Sequence, residues 1–201
     1  MKTRQRILGI DPGLRISGYG CIECEPGGLG AITLVEAGVF RLGTAMTARE
    51  RADVELRQDL ASERLSSSGA QSISSRLVEL DRDFRHVLDR LRPDVVAVEA
   101  LFAHYKHPAT AIIMAHARGT LLLAIRQMGM ELLEFKPTMV KKSVTGNGLA
   151  RKEQVQRSVA GLLSLAAIPE PPDMADALAV AICASRRAVG AGVAGAMFPA
   201  G

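Results

Sequence analysis

Four carboxylates stand at places in this chain where an acid has a chemical use. Asp11 closes the apolar run Ile7-Leu8-Gly9-Ile10, Glu99 closes Val95-Val96-Ala97-Val98, and Asp173 and Asp176 lie three apart at the start of a long apolar segment. A carboxylate at the end of a buried strand costs free energy unless a cation or hydrogen bonds compensate it, and two acids three apart share one face of a helix. Together they supply hard oxygen ligands suited to Mg2+ or Mn2+, and the sequence has no Cys/His cluster to suit zinc. Two such ions about 4 Å apart can activate a water and stabilise the leaving oxygen in phosphodiester cleavage. Each acid also has a plainer explanation: Asp11-Pro12-Gly13 is a good turn, Glu99 suits a helix start or a loop, and Asp173 with Asp176 suits an N-cap followed by a first-turn acid. The conjunction, rather than any one of them, suggests a site.

The elements that must position these acids follow from the patterning. Ile7 to Ile10, Tyr19 to Glu23 and Ala31 to Leu42 read as three strands of an antiparallel meander separated by Gly-rich turns. Gly13, Gly18 and Gly20 let the turn and the returning strand pass close to whatever sits beside Asp11. Leu77, Leu80, Phe84, Val87, Leu88 and Leu91 recur at three- and four-residue intervals, which predicts a helix ending before Pro93. The run ending in Glu99 is typical of a strand covered on both faces. With that helix as a crossover, the strand lies parallel to the first, and both carboxylates reach one edge of the sheet. Ala109 to Met128 predicts a helix rich in small residues, Glu131 to Phe135 a fifth strand, and Arg151 to Leu165 an amphipathic helix. Asp173 opens the last helix, and a loose tail is expected from about Gly190.

Lys and Arg outnumber Asp and Glu by 25 to 21, and the pI of about 9.2 favours a polyanionic partner. Lys136, Lys141, Lys142, Arg151, Lys152 and Arg157 fall within one short stretch, which is either a binding surface or an ordinary solvated face. The three cysteines are expected to be free thiols in a reducing cytoplasm. Cys21-Ile22-Glu23-Cys24 has CxxC spacing, but on a strand its two thiols point to opposite faces, which argues against zinc or redox chemistry. Neither a signal peptide nor an apolar run of about 18 residues is visible, so no membrane role is expected. The segment from about 44 to 75 carries charges of both signs and ends in Ser66-Ser67-Ser68-Gly69; an exposed helix around Ala48 to Leu65 and a mobile loop after it are expected.

Gly9-Ile10-Asp11-Pro12-Gly13 with Gly18-Tyr19-Gly20, Val98-Glu99 with Phe102, Ala117-Arg118-Gly119, Val140-Lys141 with Gly146 and Gly148, Lys152 with Gln154-Val155, and Asp173 with Asp176-Ala177-Leu178-Ala179 occur in that order. This ordered set resembles the RuvC family, the bacterial crossover junction endodeoxyribonucleases that resolve Holliday (four-way) junctions. The resemblance implies an α/β, ribonuclease H-like fold with a mixed five-stranded sheet flanked by helices on both faces. It implies one nuclease domain over 1–189, interrupted by the 44–75 segment, which is longer than the family's by roughly thirty residues. Asp11, Glu99, Asp173 and Asp176 match the family's metal-binding catalytic acids, served by Mg2+ (Mn2+ as the alternative) with two ions per site. Lys141 and Lys152 match its active-site lysines, and Phe102 matches an aromatic placed against junction bases, a stacking role. Arg15, Tyr105, Lys106, Lys142 and Arg151 are further candidates for DNA contact. The family also implies a homodimer, with the helix from Ala109 in the dimerising region, and a branch-migration complex of the RuvA and RuvB type as partner. Ala103-His104-Tyr105-Lys106-His107-Pro108 departs from the family's small and polar residues after the Phe; His104 and His107 read as surface histidines, with a phosphate or metal role as the alternative. Two other readings remain at this point: a related nuclease of the same fold acting on structured RNA, and a junction-binding protein without catalysis.

Overall fold

The computed structural model describes residues 4–13, 15–25, 30–42, 73–100 and 108–191. The expected helix and loop within 44–75, together with Phe102, His104, Tyr105, Lys106 and His107, therefore lie outside the described residues, apart from the start of the first helix at Ile73. Strands β1 (Gln5–Asp11), β2 (Ile16–Cys24) and β3 (Thr33–Arg41) are followed by helix α1 (Ile73–Leu91), β4 (Val95–Glu99), α2 (Pro108–Gln127), β5 (Glu131–Phe135), α3 (Pro137–Thr145), α4 (Lys152–Leu162) and α5 (Pro172–Ala191). The sheet runs β3-β2-β1-β4-β5. β1, β2 and β3 form the antiparallel meander, whereas β4 is parallel to β1 and β5 parallel to β4. Helix α1 lies between β3 and β4, so that the chain crosses over before it returns as a strand parallel to β1.

Side chains alternate across the sheet and sort the core into two layers. Leu8, Ile10, Val96 and Val98 pack with Phe84 and Leu88 of α1 and Leu121 and Ile125 of α2. Ile7, Ala97 and Phe135 pack on the other face with Val140 of α3, Val155 of α4 and Leu178 and Ile182 of α5. Cys21 joins the first layer and Cys24 the second, so the CxxC pair does face opposite ways; both are buried free thiols, as is Cys183.

The structure departs from the sequence expectation in three places. The basic stretch after Pro137 contains a helix, α3, entered through Pro137 in its first turn and closed by Gly146 in the left-handed conformation at φ 77°. The last helix begins at Pro172, which puts Asp173 inside the first turn rather than at the cap, and it continues to Ala191, past the expected start of the tail. The amphipathic helix is shorter than expected, ending at Leu162.

Candidate active site

The pairing of Ile10 with Val98 places the next residues, Asp11 and Glu99, at adjacent ends of two parallel strands, about 4.8 Å apart in the pairing direction. By the same alternation both belong with Ile7 and Ala97, on the face covered by α5. What brings α5 down onto that face is the absence of side chains beneath it. A Cβ on Gly9 would lie 2.1 Å from the Ala177 carbonyl oxygen, and one on Gly18, the pairing partner of Asp11, would lie 2.0 Å from the Asp173 carbonyl oxygen. The glycines thus admit the helix backbone itself, and the acids of its first two turns arrive beside the strand-end acids.

A cleft of about 250 Å³ is lined by Asp11, Glu99 and Asp176, by Lys141 of α3 and Lys152 of α4, and by the apolar Pro137, Val140, Val155 and Ala179. Asp173 is not in this lining, but its charge acts on both Asp11 and Lys152. Burial, then repulsion from Asp176, Glu99 and Asp173, pushes Asp11 up to about 8, with Lys152 partly opposing. Glu99 is raised by burial and by Asp176, against the pull of Lys141 and Lys152. The Lys152 ammonium lies 2.8 Å from Asp176 Oδ2; burial works to lower its pKa, but the Asp176 hydrogen bond and the charges of Asp176, Asp173 and Asp11 outweigh that and raise it.

Among the described residues, no three His, Cys, Asp or Glu side chains converge tightly enough to cage an ion as they stand. The donor set nevertheless fits a hard divalent cation: the acids around Asp11 all offer oxygen, and their mutual repulsion is relieved by positive charge. Arg15, Lys142 and Arg151 are exposed and lie outside the cleft lining.

Two residues take supporting roles that the sequence alone did not assign, although Arg118 lies in one of the motifs quoted above. Arg118, the one charge among the apolar residues of α2 before Arg126, donates from Nε to the Glu99 carbonyl at 3.3 Å and pairs with Glu134 of β5, bracing the end of β4. Its isolation in an apolar helix was the available signal. Ser17, fully buried, accepts the Gly13 N–H at 2.9 Å and donates to the Gly13 carbonyl, closing the turn after Asp11. Nothing in its spacing announced that role.

Residues 56–184 match the family model described as Crossover junction endodeoxyribonuclease RuvC. A crossover junction endodeoxyribonuclease RuvC of Rhodopirellula baltica is 38% identical over 177 residues, covering 88% of this chain and 84% of the relative. One from Caldicellulosiruptor saccharolyticus is 38% identical over 178 residues, covering 89% and 90%. Among solved structures, Thermus thermophilus RuvC superposes with a TM-score of 0.70 at 28% identity, over 92% of this chain and 96% of that one. The same Thermus protein in complex with a Holliday junction substrate gives 0.69 at 26% identity, over 92% and 96%. The matched residues span α1 to α5 and so include Glu99, Lys141, Lys152, Asp173 and Asp176. The chain belongs to the RuvC family of crossover junction endodeoxyribonucleases.

Proposed function

We infer that this protein is a Holliday junction resolvase, a nuclease that hydrolyses phosphodiester bonds in four-way DNA junctions during recombination. The observation that carries the reading is the meeting of two strand-end acids with the acidic face of α5 in a cleft that two lysines also line. The relatives are named as junction endonucleases acting on DNA, which disfavours both a structured-RNA nuclease and a binding protein without catalysis.

Asp11, Glu99, Asp176 and Asp173 are the residues that would hold Mg2+, or Mn2+ in its place, two ions per site by family resemblance. A metal held by these acids would supply Lewis-acid activation of a water and offset charge on the leaving oxygen. The chain's own groups do the rest. Lys152 and Lys141 bring positive charge to the scissile phosphate, where negative charge grows in the transition state. Val140, Val155 and Ala179 give the cleft a weakly screening wall that strengthens these interactions. Arg118 holds the Glu99 backbone in place. Arg15, Lys142 and Arg151 are exposed and suited to phosphate contacts that position the DNA; Phe102, Tyr105 and Lys106 keep their proposed DNA roles on sequence grounds alone.

Pairwise symmetric nicking calls for two such sites in a homodimer. Ile112, Ala115, Gly119 and Leu123 form an exposed stripe along α2, with open space beside Gly119, a surface suited to close helix packing against a second copy. No helix among the described residues is long and apolar enough to cross a membrane. A cytoplasmic protein working with a RuvA- and RuvB-type branch-migration complex, as one nuclease domain over 1–189, is the setting we propose. The deciding experiment incubates the protein with labelled four-way junctions, linear duplex and RNA hybrids, with and without Mg2+. Mg2+-dependent paired nicks confined to the junction support the reading, and equal cutting of linear duplex or RNA overturns it.

A further inference from the structure

Leu149 is 84% exposed, the most exposed large apolar side chain among the described residues, and it stands in the stretch from Lys136 to Arg157, which holds six cations and a single acid, Glu153. Its backbone is not loose. Gly146 N–H bonds to the Lys142 carbonyl at 2.9 Å to end α3. Asn147 N–H bonds to Thr145 Oγ1 at 3.1 Å, and Asn147 Oδ1 accepts the Leu149 N–H at 2.9 Å. Arg151 N–H reaches Gln154 Oε1 at 2.8 Å to start α4. Gly148 lies against the Thr138 carbonyl, 3.0 Å from where a Cβ would be, and Ala150 is buried. The turn is therefore fixed on both sides of a leucine that it displays to solvent, between Lys141 and Lys152, which both line the catalytic cleft.

We propose that Leu149 is an apolar contact for the DNA strand entering the cleft, seated against the sugar faces and base edges of the groove beside the scissile phosphate. This rests on the reading of the cleft as a DNA-cutting site. A ligand that satisfies both the cationic surroundings and an apolar tip must be polyanionic and carry apolar faces, which describes nucleic acid, and wedging apolar side chains into grooves is a common use of such residues. The alternative occupant, a protein surface, would have to be acidic around an apolar pocket.

The test measures junction binding in EDTA, where cutting is stopped, for wild type, Leu149→Ser, Leu149→Met and Arg151→Ala across a salt series. Leu149→Ser should bind about tenfold more weakly, the effect of one leucine left in water. It should keep the wild-type slope of log affinity against log salt and an unchanged melting temperature, and Leu149→Met should restore affinity. Arg151→Ala should instead lower that slope by about one phosphate contact. Wild-type binding with Leu149→Ser equally tight overturns the contact alone. A shift in self-association of Leu149→Ser by sedimentation, with DNA affinity kept, overturns it in favour of a protein interface. A wild-type protein that ignores the junction overturns the reading of the cleft, and this contact with it.

Discussion

On the face of the sheet that carries α1 and α2, Leu8, Ile10, Val96 and Val98 meet Phe84, Leu88, Leu121 and Ile125, so large side chains fill the space and hold the helices off the strands. On the opposite face Gly9, Gly18 and Gly20 remove the side chains under α5, and its backbone settles onto the sheet. The first arrangement gains stability from buried apolar area. The second gives up some of that area, and in exchange brings groups from a helix and from two strand ends within electrostatic reach of one another. Rigid positioning of charged groups that repel is what a metal-assisted site requires, and the bulky face supplies the stability that such crowding removes.

The largest expected effect lies in the crowded face. Asp11→Asn and Asp176→Asn should each lower junction cleavage in Mg2+ by at least about 10³-fold. Binding measured in EDTA should stay within about a factor of ten, because it rests largely on phosphate contacts. Near-normal cleavage by either variant would remove the acids from the mechanism.

A paired comparison then sets the two faces against each other. Leu88→Ala empties a fully buried site between α1 and the sheet and should cost about 2–5 kcal/mol of stability, seen in denaturant unfolding, while cleavage per folded molecule stays within about twofold. Gly18→Ala must push α5 away by its backbone, since the added Cβ would lie 2.0 Å from the Asp173 carbonyl oxygen. It should lower cleavage by about 100-fold, as expected when catalytic groups shift by roughly 1 Å. If Leu88→Ala damaged turnover as much as Gly18→Ala, the division of labour between the faces would be wrong.

How much of this was legible in the sequence follows the same division. Apolar periodicity in α1 and the uninterrupted run of β4 were enough to place Asp11 and Glu99 at parallel strand ends, because both signals are local and the crossover rule converts them into topology. The glycines were correctly read as places of close approach, but their neighbour is α5 rather than the turn and the returning strand alone; which element covers a bare strand depends on contacts about 160 residues away in sequence. Helix α3 went unread although Pro137 and Gly146 bracket it, since its nine residues carry lysines and hydroxyls that suit a loop as well. The Lys152–Asp176 and Arg118–Glu99 contacts depend on side-chain direction across elements, which spacing within one element does not encode. Three of the four acids line the cleft, and the fourth, Asp173, acts on it through its charge on Asp11 and Lys152.

The repulsion in the crowded face should be measurable in the metal-free protein. Asp11 titrates at about 8 when folded, above its ordinary 3.8, so between those values the folded state holds a proton that the unfolded chain has lost. Stability then falls as pH rises through that window and levels off above it. Asp11→Asn abolishes this contribution: its advantage over wild type should be absent near pH 4 and reach a few kcal/mol by pH 8, with Glu99, also raised, leaving a smaller slope of the same sign. Mg2+ should stabilise wild type at pH 8 and stabilise the variant less. Parallel stability–pH curves for the two proteins would show that Asp11 is not held under strain.

The smallest effect concerns the brace between the faces. Arg118 belongs to α2, on the bulky side, yet its guanidinium bonds the Glu99 carbonyl and Glu134, and its side chain is only 15% exposed. Arg118→Gln keeps a donor but loses the charge and the reach to both partners at once. The end of β4 keeps its ladder with β5, so Glu99 should lose precision rather than position. Cleavage should fall by about tenfold, with junction affinity in EDTA unchanged and a small loss of stability, since a partly exposed ion pair contributes at most about 1 kcal/mol. Arg118→Lys, which restores charge without the two-partner geometry, should recover little. Full recovery by lysine would mean that the charge alone matters, and that the two faces are coupled through the field in the cleft rather than through the placement of Glu99.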